Sequence, residues 1–275
     1  MQPHEVHGYY TKKIKYGVKT INDFIMKLRR TAVLDKFFKQ SDDLNYSGLK
    51  DLFDKLFRVT RNQLMDHQLL GLEEEIDQNM LEISNFVMYN LHSEFFYNEK
   101  RSNDEKKFQR KIDVLQKLSA ADFDFRIDDQ MRHAWKMAIK EASRLQEQQT
   151  PMGKLQQLQK AIKILAQSYT LYKNEQITAD HLATFIPYIL VKAKIERVLS
   201  HYNYIQAFHF SVNEGDEISV VNTNLNIAIT RLKSNDFDEH IKKVDPAFFE
   251  REEQLELRRH RKSARGVRKT RSSTG

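Results

Sequence analysis

Asp180 has the most unusual setting of any carboxylate in this 275-residue chain, because the segment that follows it carries no charge until Lys192. Thr178 stands two residues before it and can cap a helix, which puts Asp180 in the first turn. A carboxylate there most often serves its own helix dipole; otherwise it is offered to a cation on a partner. Thr223 is a second candidate, a hydroxyl placed to cap a helix that continues through Leu225, Ala228, Ile229 and Leu232. Bond-making chemistry has no comparable foothold. The chain has no cysteine, which removes disulfides, thiolate metal sites and a thiol nucleophile, and fits a reducing interior. G-x-S-x-G, G-x-G-x-x-G and H-E-x-x-H are missing, and Gly17-Val18-Lys19-Thr20 has Val18 where a phosphate loop needs glycine. The ten histidines, scattered from His4 to His260, read as surface or packing residues, so neither a metal nor a cofactor is expected.

The elements that must position these residues are helices. With 40% apolar residues but only 8 glycines and 4 prolines, the composition disfavours turn-rich sandwiches and barrels. Apolar residues recur at spacings of three and four: Ile21, Phe24, Ile25 and Leu28, then Leu49, Leu52, Phe53, Leu56 and Phe57, then Ile76, Met80, Ile83, Val87, Leu91 and Phe95. Phe108, Ile112, Leu115 and Leu118 mark the next helix, and Met131, Trp135, Ala138, Ala142 and Leu145 the one after. Thr150 and Pro151 open another, whose inward face is Leu155, Leu158, Ile162 and Leu165. Leu182, Phe185, Ile186 and Ile189 follow Thr178, and a further helix covers 195–208. Tyr169, Tyr172, Tyr188, Tyr202 and Tyr204 fall within this helical pattern and read as core. The expected fold is all-α, an N-terminal antiparallel bundle packed on a second, layered all-helical domain. The division runs as a loose arm over 1–17, a bundle over 18–96, a second domain over 97–235 and a basic, disordered tail over 236–275.

Charge is concentrated in that tail. Residues 251–275 hold nine Lys/Arg against three Glu, so most of the formal net charge of +7 lies there and the body is nearly neutral. Arg258, Arg259, Arg261, Lys262, Arg265, Arg268, Lys269 and Arg271 lie within one short run. With no aromatic to stack on a base, that run suits an anionic membrane surface better than nucleic acid. The longest uncharged apolar stretch, residues 181–191, is well below the ~18 residues of a spanning helix, and no apolar leader follows Met1.

An ordered series of residues resembles a known family. Ala179-Asp180, Tyr188, Lys192-Ala193, Ser200, Tyr204-Ile205 and Phe208, then Thr223 and Leu225, are similar to the Vps-nine (vacuolar protein sorting nine) domain. Upstream, Phe86-Val87-Met88, Leu91, Phe95-Phe96, Asp104-Glu105-Lys106-Lys107, Pro151 and Lys154-Leu155 keep family order, so the resemblance spans residues from about 80 to 235. The helices before it resemble the supporting bundle of Rabex-like members. The resemblance implies a guanine nucleotide exchange factor for a Rab-five-group GTPase, cytoplasmic and peripheral on early endosomal membranes. Asp180 matches the family's acidic finger, which competes with nucleotide phosphate and Mg²⁺ for the GTPase. Thr223 matches the hydroxyl that contacts the switch region, and Thr184, Tyr188, Val220 and Leu225 are implied to bind the GTPase. Thr184 and Val220 stand where the family usually has proline and tyrosine. A rival register aligns Phe185-Ile186-Pro187 with the family's F-I-P and puts Ala183 at the acid position. A non-catalytic helical adaptor that binds a Rab through the same fold is the alternative reading.

Overall fold

The computed structural model describes residues 103–209 and 217–271, together with single helical positions within 50–62 and 80–92. The expected arm, and the arrangement of the expected N-terminal bundle, lie outside the described residues. Every regular element among the described residues is helical, as the periodicities require. Helix α1 is Asn103–Leu115, α2 Arg132–Ser143, α3 Pro151–Lys173, α4 Ala179–Lys192, α5 Val198–Phe208, α6 Glu217–Lys233, α7 Asp238–Val244 and α8 Phe248–Arg271. Short 3₁₀ turns sit at Ala121–Phe123, Asp129–Met131 and Arg144–Glu147.

Helix α4 is central, because every residue from Phe185 to Val191 is buried. Apolar on all sides, such a helix is stable only when surrounded. Helices α1, α2 and α6 pack against it, α2 lies along α3, and α5 bridges α1, α3 and α6. One hydrophobic cluster runs through all of them, from Phe108 to Phe248. Its aromatic centre joins Trp135, Phe125, Phe185 and Tyr188, with the Trp135 ring 4.9 Å from Phe185 and 5.5 Å from Tyr188.

Local signals close the helix ends. The Thr150 hydroxyl accepts the Gly153 N–H at 2.9 Å and Pro151 opens α3, while Asn174 ends it in the left-handed region at φ 55. Two lysines finish helix ends from a distance. Lys192 Nζ donates to Gln116 O at 2.8 Å and Leu118 O at 2.6 Å, just past α1. Lys154 Nζ donates to Leu145 O at 3.3 Å and to Gln148 O, closing the third 3₁₀ turn. Cations suit such carbonyls left without a helical partner, and burial drives the Lys154 ammonium down to a pKa of about 7.

The described N-terminal positions rest on α5. Phe53 meets Phe208 with ring centroids 5.2 Å apart, His92 meets Tyr204 at 5.8 Å, and the Tyr204 hydroxyl donates to Met88 O at 3.2 Å and Gln149 O at 3.0 Å.

Two expectations are corrected. The described residues from 236 to 271 do not form a disordered tail: α7 and α8 are helical through Arg271. Phe237, Ile241 and Phe248 are buried in the main cluster and anchor the segment, and Glu252 pairs with Arg110 as Glu256 does with Lys107 at 2.6 Å. Net charge drew attention to the tail and hid these three apolar anchors. Thr223 does not cap α6, which already begins at Glu217. Val221 is buried and Ile218 packs on the core, so apolar contact carries the helix upstream of the apparent cap. The Thr223 hydroxyl instead donates to Ser219 O at 3.0 Å, one turn back.

Candidate functional site

The start of α4 is fixed by short-range bonds. Thr178, in extended conformation, accepts the His181 N–H on its hydroxyl at 3.3 Å, and the Thr178 N–H donates to His181 Nδ1 at 3.2 Å. This is a reciprocal cap with histidine in the position glutamate or glutamine usually takes. Asp180 lies between the two partners, exposed, and its carboxylate makes no hydrogen bond or ion pair with the described residues. It is also the only carboxylate of α4. Thr184, half-buried one turn on, donates its hydroxyl proton to His181 O at 3.0 Å.

Pro187 sits inside α4 without an N–H to give, so the Ala183 carbonyl loses its helical partner. Arg231 of α6 supplies one, its Nη1 donating to Ala183 O at 3.3 Å. The same guanidinium pairs with Asp124, approaches Asp236 at 3.9 Å and lies 5.4 Å from the Phe237 ring centroid. Sequence reasoning missed Arg231. The signal was present, since a proline in an otherwise helical run demands an outside donor for the carbonyl four residues back.

Arg231 faces Ala183 while Leu225 and Leu190 line one small internal space, so α4 and α6 run antiparallel. At ~1.5 Å of rise per residue, Asp180 and Val220 then stand roughly 20 Å apart along the pair. Val220, Thr223 and Ile227 are exposed on α6, Val220 at 49% and Ile227 at 45%. Tyr188 and Leu225 do not join this surface. Tyr188 is buried beneath it against Phe123 and Trp135, and burial raises its hydroxyl pKa; Leu225 is 2% exposed in the core. Buried in the free chain, both support the exposed residues from below. The remaining candidates are exposed or half-buried, with an acid near one end of the helix pair and an apolar, hydroxyl-bearing stripe on α6 near the other. Such an arrangement suits a macromolecule rather than a small substrate.

Nothing among the described residues gathers three metal-ligating side chains, and no described helix is long and apolar enough to cross a membrane. A cleft of about 690 Å³ lies elsewhere, between α1, α5 and α8, and the Lys107–Glu256 pair spans residues of its wall. Of the basic residues in α8, Arg258 and Arg261 are exposed and Arg259 is half-buried. The backbone continues as helix past Lys262, Arg265, Arg268, Lys269 and Arg271, whose side chains lie outside the described residues.

Residues 135–237 match the vacuolar sorting protein 9 (VPS9) domain. The matched stretch begins at buried Trp135, ends at buried Phe237 and contains α4 and α6 entire. The chain thus carries a VPS9 domain, a guanine nucleotide exchange domain that acts on Rab GTPases. Helix α1 and the docked half of α8 lie outside the match yet share its core.

Proposed function

We propose that this protein is an exchange factor for a Rab-five-subfamily GTPase, with Asp180 as its acidic finger. The observation that carries the reading is an exposed, unpaired carboxylate at the head of the central helix, inside the matched domain. In this mechanism the Asp180 carboxylate pairs with the phosphate-loop lysine of the GTPase and competes with the nucleotide phosphates and Mg²⁺ for it. A ~1000-fold acceleration of nucleotide release requires ~4 kcal/mol. One charge-assisted hydrogen bond supplies ~1.5 to 3 kcal/mol. The remainder falls to the α6 stripe, where Val220, Thr223 and Ile227 hold the switch regions open. The exchange unit extends from 97 past the buried anchors Phe237, Ile241 and Phe248, with the bundle expected over 18–96 as its support. The basic end of α8 draws it to anionic early endosomal membranes from the cytoplasmic side.

Val220 in place of the family's tyrosine favours one second reading, a Rab-binding adaptor without exchange. A nucleotide-release assay of the full chain against a panel of Rab GTPases separates the two. Asp180→Ala is expected to lower release by roughly one to two orders of magnitude, leaving a small residual rate, while unfolding at nearly the wild-type temperature, because an exposed first-turn carboxylate is worth only ~0.3 to 1 kcal/mol to its helix. Wild-type release by that variant would refute the acidic-finger assignment.

A further inference from the structure

The half-buried imidazole of His181 is held by Thr178, Tyr169 and Phe185. Its Nδ1 accepts the Thr178 N–H at 3.2 Å and faces the Thr178 hydroxyl at 3.1 Å, while Nε2 lies 3.3 Å from the Tyr169 hydroxyl. The ring is stacked on Phe185, with centroids 5.5 Å apart and planes at 23°, and Tyr169 closes the other side at 5.0 Å. An Nδ1 that accepts must be unprotonated, so the ring hydrogen is on Nε2 and points to the Tyr169 oxygen. Through this one ring the first turn of α4 is tied to its own cap, to the core and to the last turns of α3. Ala179 and Asp180 are the two residues between the tied cap and the tied ring. The backbone neighbours of Asp180 are fixed although its side chain has no partner.

From this geometry we propose that His181, with Tyr169 behind it, is a positioning residue for Asp180. It fixes the backbone from which the carboxylate projects before the GTPase arrives. The inference rests on the acidic-finger reading. The physical ground is preorganisation: a charged group that must reach a buried lysine loses less freedom on insertion if its helical turn is already fixed, and a misplacement of about 1 Å can cost on the order of a hundredfold in rate. A helix cap serving stability alone needs only the Thr178 bonds. The tie to Tyr169 and the Phe185 stack constrain where the turn sits on the domain.

Four single variants and one double variant of the full chain test this by nucleotide release at rising exchange-factor concentration. His181→Ala should lower the maximal rate roughly tenfold and leave half-saturation within about twofold, since the α6 stripe is untouched. His181→Gln, which can reach back to the Thr178 N–H but has no ring to stack on Phe185, should recover only part of the rate, and full recovery would show that the cap alone suffices and overturn the inference. Tyr169→Phe, which removes one hydroxyl and keeps the ring, should cost about two- to threefold. Against the floor set by Asp180→Ala, adding His181→Ala should change nothing further, because both act through one carboxylate. If His181→Ala lowers the residual rate of Asp180→Ala by the same factor as it lowers wild type, His181 does not act through Asp180. If His181→Ala is fully active while Asp180→Ala is strongly slowed, the finger needs no clamp and the inference fails alone. If Asp180→Ala releases nucleotide at the wild-type rate, the finger reading fails and takes the inference with it. Unfolding followed by the fluorescence of the single Trp135 accompanies each variant. Should His181→Ala be unfolded at the assay temperature, His181→Gln and Tyr169→Phe decide the outcome.

Discussion

Replacing Arg231 by methionine keeps the length and apolar stem of the side chain while removing its charge and donors. Three contributions are lost. The hydrogen bond from the guanidinium to the half-buried Ala183 carbonyl is charge-assisted and worth ~1.5 to 3 kcal/mol. The partners Asp124 and Asp236 are 71% and 56% exposed, so those pairs are screened and add ~0 to 1 kcal/mol. The position of the cation against the Phe237 ring adds ~0.5 to 1 kcal/mol. Arg231→Met should therefore destabilise the protein by about 3 kcal/mol. Most of that follows from Pro187, and this can be tested separately. In a Pro187→Ala background the new amide donates to Ala183 O within α4, and Arg231→Met should then cost only ~1 to 2 kcal/mol. The cycle compares differences, so the packing change made by Pro187→Ala itself cancels. Urea unfolding followed by Trp135 fluorescence is the assay, since that ring lies 4.9 Å from Phe185 of α4. An equal cost of Arg231→Met in both backgrounds would show that the guanidinium does not replace the bond that proline removes.

Acid should weaken the protein: burial first, then Lys154 and Arg197, lower the His92 pKa from 6.5 to about 4, and His201 is lowered by burial first, then by Lys154, His92 and Arg197. The unfolded chain takes up these protons more readily, so the stability they contribute is complete above about pH 6.5 and is lost as pH falls toward about 4. Unfolding free energies that stay level between those pH values would contradict this, and His92→Gln should reduce the slope. Leu225→Ala should cost ~2 to 5 kcal/mol and lose exchange only in proportion to the folded fraction, whereas Val220→Asp should leave stability within ~0.5 kcal/mol and depress exchange. A Leu225→Ala protein that is stable but inactive would return that residue to the surface. Removing residues 262–275 should leave unfolding unchanged and reduce pelleting with anionic liposomes, the difference shrinking as salt rises and the Debye length falls from ~10 Å at 0.1 M to ~3 Å at 1 M. Equal pelleting of both forms would leave the basic run without a membrane role. Removal from 236 should instead destabilise strongly, since it takes away Phe237, Ile241 and Phe248.

Helix α3 was legible residue by residue. Thr150, Pro151 and the stripe through Leu155, Leu158 and Leu165 act over three or four positions, and such local geometry needs no knowledge of the rest of the chain. The same holds for the cap at Thr178 and for the buried run of α4, whose lack of charge left it no solvent-facing side. The order of family-like residues placed Asp180 at the head of that helix. Burial and partnership were another matter. The family resemblance implied partner contact for both Tyr188 and Val220, yet in the free chain one is sealed under Phe123 and Trp135 and the other faces solvent, a choice made by the helices that happen to cover them. Phe237, Ile241 and Phe248 sit amid charge and were hidden by it until α1 provided a surface to receive them. Arg231 reaches Ala183 across 48 residues and Lys192 reaches Gln116 across 76. A charged side chain finds a carbonyl that far away in sequence only when packing has already fixed both backbones. Local pattern therefore determined which segments are helices and where they start, while long-range packing decided which side chains support α4 and which remain free on its surface.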